Sequence, residues 1–224
     1  MVALVKKQRP TKQFRSTTMK ISRGFTLVEM AVVLIIIAFL VSGLLVPLSK
    51  QLEQKRIQAT DECLEQINDA LIGFAIISGR LPCPDTDSDG IEDTFCNTEG
   101  ELPWATLAIN TSHSIDGWGN PLRYRVDQSY TSQPLPDDPP DTSSSLRVRD
   151  RDGDELTDES VNSNVIAIIF SYGRDQQANG ENNSTDNVYA KDVYIENQFD
   201  DRLVWLPKSI LISRLALAGK WPPL

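Results

Sequence analysis

Hydrophobic and polar positions divide the chain into three regimes. Residues 30–49 form a run of twenty without a charge, dominated by Val, Leu, Ile, Ala and Phe. At about 1.5 Å per residue the run is ~30 Å long, the thickness of a hydrocarbon core, so it predicts one membrane-spanning helix. Beyond it the apolar positions narrow to a stripe. Ile57, Leu64, Ile67, Leu71 and Phe74, with Ala70 and Ile77 alongside, recur at spacings of three and four. That period predicts the same helix continuing as an amphipathic rod to Ser78-Gly79, with Gly43 and Pro47 as the places where it can kink.

After Gly79 the period changes again. Short β-type runs at 122–126, 145–149, 165–170 and 188–195 are separated by Asp, Gly, Pro and Ser clusters, and 208–218 has helical spacing. Segments 133–144 and 178–187 read as exposed loops. The fold class predicted is α+β: a long N-terminal helix, one half for the membrane and one half amphipathic, packed on a small antiparallel sheet with long loops.

Charge adds an orientation. Lys6, Lys7, Arg9, Lys12, Arg15, Lys20 and Arg23 are the only charges before Gly24, and positive flanks stay on the cytoplasmic side, so the rest faces outward. Without these seven, 15 basic residues face 31 acidic ones, a net charge of −16 against −9 for the whole chain. Such a surface repels nucleic acid and favours cations. A second reading of the same run is a secretory signal cut at Ser42-Gly43, although the apolar run continues for six residues past that point.

Little in the sequence supports an enzyme. The single histidine, His113, lies in a Thr-Ser-His-Ser loop, no Gly-x-Ser-x-Gly is present, and Cys63 falls on the helical stripe. Trp104, Trp118, Tyr130 and Trp221 are the stacking candidates if the head is a surface- or sugar-binding module. On the outer side of a membrane disulfides persist. Cys83 and Cys96 bracket a 12-residue loop, while Cys63 is some 24 Å up the helix from Gly79, so the pairing expected is Cys83 with Cys96.

Two Asp-rich stretches carry candidate metal chemistry. In Asp85-Thr-Asp-Ser-Asp-Gly-Ile-Glu-Asp93, carboxylates stand at relative positions one, three, five and nine (Asp85, Asp87, Asp89, Asp93), Gly90 allows the turn, and Ile91 offers a carbonyl. The stretch resembles the loops of thrombospondin-type and EF-hand-like sites, which implies Ca2+, although Cys96 stands where an EF-hand has its bidentate glutamate. Asp150, Asp152, Asp154 and Asp158 repeat the spacing, with Glu155 where the turn wants glycine. The competing reading of both is a solvated acidic turn.

Gly24-Phe-Thr-Leu-Val-Glu29, after a basic leader and before an apolar helix, resembles the cleavage and methylation signature of type IV pilins and type II secretion pseudopilins. The resemblance implies that prepilin peptidase cuts between Gly24 and Phe25, that Phe25 is N-methylated, and that Glu29 is the assembly carboxylate. It divides the chain into a leader at 1–24, a transmembrane and assembly half at 25–49, an amphipathic half at 50–79 and a periplasmic head at 80–224. A start at Met19 would shorten the leader to MKISRG. The partners implied are other pilin or pseudopilin subunits, the peptidase and the bacterial inner membrane, and the product is a minor pilin-like subunit of a pilus or pseudopilus. The alternative is a membrane-anchored binding module.

Physical chemistry agrees with the signature, because a carboxylate in hydrocarbon costs several kcal/mol unless a cation neutralises it. The amine freed at Phe25 is the nearest such cation, and a neighbouring subunit's amine would fix an axial stagger. The bland alternative for Glu29 is a charge at a helix N-terminus. In the head, Asp116-Gly-Trp-Gly-Asn-Pro-Leu-Arg-Tyr124 is similar to the D-x-W-G-x-P-x-x-Y stretch of major pseudopilins, and 79–85, 102–107 and 199–206 look like a wider group of prepilin-type proteins. Read structurally, Gly-Asn-Pro is a tight turn and Trp104, Trp118 and Trp205 fill a small core.

Overall fold

The computed structural model describes residues 24–133, 135, 146–157, 165–183, 186–196 and 198–221, with 42–47 described as backbone. Helix α1, Leu27–Ser78, runs for 52 residues. Two compact units divide the chain, and their boundary falls between Leu48 and Ser49. In the first unit, every described residue from Gly24 to Val41 is exposed, and from Leu34 to Val41 the side chains are apolar on all sides of the helix. A helix with no polar face is suited to lipid or to packing among other helices. Among the described residues no helix is long and apolar enough to cross a membrane. The side chains at 42–47, which the expected span needs, lie outside the described residues.

In the second unit α1 buries a single stripe made by Thr60, Leu64, Ile67, Leu71, Ile72 and Ala75. Ile77, expected near that stripe, is 85% exposed. Six residues past Leu71, it is rotated by about 240° at ~100° per residue and faces water. The helix stops where Gly79 takes φ +66, a left-handed conformation that suits glycine. The Gly79 amide donates to Ala75 O at 2.9 Å.

Six strands follow: β1 Gly100–Glu101, β2 Arg123–Val126, β3 Arg147–Arg149, β4 Val165–Ser171, β5 Val188–Ala190 and β6 Arg202–Pro207, with α2 at Lys208–Leu217. β1-β2-β4-β6 form an antiparallel sheet, so the fold is α+β. The expected single sheet is corrected in one respect. β3 and β5 pair in parallel as a separate two-stranded ladder, with Val148 opposite Tyr189.

That second layer explains why β4 reads as an unbroken apolar run, since a strand covered on both faces has no polar side. Ile166, Ala167 and Ile169 join the main core with α1 and α2, whereas Val165, Ile168 and Phe170 join Val148 and Tyr189 of the ladder and Leu146 just before it. The alternation skips once, because a bulge inserts Ile166 between Val165 and Ala167. Aliphatic side chains, Tyr124, Tyr130 and the Cys83 and Cys96 side chains fill the main core. Trp104, Trp118 and Trp205, expected there, are only half-buried.

Candidate functional site

The first candidate site is the start of α1. Thr26 Oγ1 accepts the Glu29 amide at 3.2 Å, and the Thr26 amide donates to Glu29 Oε2 at 3.4 Å. Together they form a capping box, Thr-x-x-Glu, that satisfies two orphan amides at the helix N-terminus. The Thr-x-x-Glu spacing is legible in the sequence and fits the alternative in which Glu29 serves the helix N-terminus. Gly24 and Phe25 precede the helix; Phe25 is 75% exposed, and a Cβ placed on Gly24 would meet nothing within 4 Å. The Gly24-Phe25 bond therefore lies between two exposed residues, and nothing in the described structure would clash with a side chain at 24.

The second candidate site is the loop closed by the disulfide between Cys83 and Cys96, whose Cα atoms are 4.7 Å apart. Cys63 is free. Burial, with Asp116 adding, pushes its thiol up, and the sulfur donates to His113 O at 3.2 Å, so it is a poor nucleophile. Arg80 clamps the base of the loop by grasping Glu92 through both nitrogens, with Nη1 at 2.6 Å from Oε2. Burial opposes the Glu92 anion, but Arg80 and the Cys83 amide outweigh it and hold the carboxyl low.

Inside the loop the Asp85 carboxylate is fully buried and accepts the amides of Asp87, Ser88 and Gly90 at 3.1, 2.7 and 2.7 Å. Gly90 takes φ +84, and a Cβ there would lie 2.2 Å from Trp104, so no other residue fits. Among the described residues, Asp85, Asp87 and Asp89 bring carboxylate oxygens within 4.8 Å of one another. Their mutual repulsion is visible at Asp87, which is pushed up chiefly by Asp89. Asp93, expected as a fourth carboxylate, instead accepts the Thr86 amide at 2.7 Å and the Thr86 hydroxyl, which hold it low. Ile91 donates its amide to Asp89 Oδ1 at 2.7 Å.

The second Asp-rich stretch is built differently. Asp150 Oδ1 accepts the amides of Asp152 and Asp154 at 3.0 and 2.8 Å, Gly153 at φ +90 makes the turn, and Glu155 is held by Arg149 at 2.7 Å. Asp152 and Asp154 therefore join Asp150 through their backbone, and Asp158 lies outside the described residues.

The stretch 116–124 is a clasp on α1. The buried Asp116 carboxylate accepts the amides of Trp118 and Asn120 and the hydroxyl of Ser171 at 2.6 Å. Gly117 donates to Thr60 Oγ1 at 2.9 Å, and a Cβ on it would lie 2.3 Å from Arg56 O. Tyr124, fully buried, donates to Pro82 O at 3.1 Å. This arrangement fits the structural reading of the motif.

Compared with known families, residues 19–45 match the prokaryotic N-terminal methylation motif. No curated protein and no solved structure matches the chain.

Proposed function

We propose that this chain, a pilin-like substrate of prepilin peptidase by its methylation motif, is a structural subunit of a type IV pilus or a type II secretion pseudopilus. The observation that carries the reading is the motif at 19–45, which runs into a helix whose described side chains from Met30 to Val41 are all apolar. The family that carries this motif is structural rather than catalytic. Its mark implies a membrane anchor, cleavage and assembly with other pilin-type subunits. The finer reading is cleavage between Gly24 and Phe25, methylation of Phe25, insertion in the bacterial inner membrane with the head in the periplasm, and incorporation at low copy with Glu29 meeting a neighbour's amine.

Co-expression with a prepilin peptidase and intact-mass analysis test the first step. The expected product begins at N-methylated Phe25, and Gly24→Ala blocks the cut. A mature N-terminus at Ser42 or Gly43 would make the protein an exported one and end the pilin reading. Shearing the cells tests the second step, with the protein expected in the filament fraction. Recovery from membranes alone would favour an anchored binding module.

A second reading concerns the loop at 83–96, where three buried or clustered carboxylates favour a divalent cation. Asp85, Asp87 and Asp89 would hold Ca2+, relieving the repulsion among them and stabilising the head. Asp93 has no part in that set while Thr86 holds it.

A further inference from the structure

Asp201, at the threshold of β6, is 2% exposed. Its Oδ2 accepts the Asn179 amide and the Asn182 side-chain amide, each at 2.8 Å, while Oδ1 is buried with no donor. Both donors belong to the loop that leaves β4, and Asn182 carries the link onward. Its Nδ2 donates to Ala190 O at 3.1 Å and its Oδ1 accepts the Ala190 amide at 2.7 Å. The Asp201 carboxyl therefore ties the 174–183 loop, and through Asn182 β5, to the start of β6, beside Asp200, whose amide donates to Asn179 Oδ1 at 2.8 Å.

The surroundings offer no counter-charge. Asp200, from the same segment, spends Oδ2 on the amides of Arg174 and Asp175. Asp175 faces Asp201 from the loop, Tyr172 faces it from beyond β4 with a phenol that burial keeps protonated, and β5 presents only backbone. Arg202, next in the chain, is turned to Asp61 of α1 at 2.8 Å. Among the described residues no cation pairs with Asp201. An anionic oxygen buried without a donor is far more costly than a neutral one.

We infer that protonation of Asp201 latches the 174–183 loop shut and that its ionisation loosens it. Burial, with Asp200 and Asp175 adding and the two amide donors opposing, raises the carboxyl from 3.8 to about 7 in the closed loop. An opened loop returns it to the ordinary value. The closed form holds its proton more tightly, so the stabilisation is complete below about pH 4, falls as pH rises, and is lost above about pH 7. The inference is independent of any assembly role.

Hydrogen exchange of the full chain in detergent, with chelator present, tests it. In the wild type the opening constant read at the Asn179 amide is expected to rise with pH, by up to ~10-fold per pH unit between 5 and 7, and then level off. In Asp201→Asn the same constant is expected to rise far less over that range, the remainder coming from Asp200, whose carboxyl burial also pushes up. A wild-type opening constant that does not change between pH 5 and 7.5, or a variant that keeps the full rise, would overturn the latch. Should the variant fail to fold, the wild-type profile decides alone.

Discussion

Under the function proposed above, Glu29 would serve two ends. Its carboxylate is half of a capping box with Thr26, a role that needs only an oxygen acceptor, whereas the proposed assembly role would need a negative charge. Glutamine keeps the first and loses the second. We therefore expect Glu29→Ala and Glu29→Gln both to be cleaved normally and both to be depleted from sheared filaments, measured against the wild type by immunoblot. Normal incorporation of the glutamine variant would reduce Glu29 to a helix cap. Thr26→Ala, which removes the other half, should cost about 1 kcal/mol at the helix start and leave charge-dependent assembly in place.

Among the elements, those set by local chemistry were legible. The α1 stripe, its stop at Gly79, the β4 run and α2 all follow from spacing or from one special residue. The ladder of β3 and β5 was not, because its strands are short and are stabilised by Phe170 and Leu203 from distant parts of the chain. The Asp-rich loop was legible in part. Spacing placed Asp85, Asp87 and Asp89 together, but it could not reveal that Thr86 would capture Asp93, nor that Asp201, within the 199–206 stretch, would be sealed from water. For the full chain in detergent, calcium is expected to raise the melting temperature over chelator. With the affinity of about 0.1–1 mM common to extracellular sites, 10 mM calcium would add about 1.4–2.7 kcal/mol. An unchanged melting temperature, or an equal rise with magnesium, would leave these aspartates as surface charge.

At the scale of the molecule, the chain passes from the ladder at β3 to the sheet at β4, returns to the ladder at β5 and re-enters the sheet at β6. Neither layer is complete without crossing into the other. The second unit should consequently unfold as one: far-ultraviolet and near-ultraviolet circular dichroism are expected to report the same midpoint, and separate midpoints would show that the layers melt independently. Of its last elements, β6 sends Leu203 into one cluster and Leu206 into the other, and α2 adds Leu211 and Leu215. For a ribosome this is an awkward order of delivery. The apolar run at 30–49 emerges long before β6 and α2, on which both cores wait, so a membrane-anchored chain would be tethered before its head could fold.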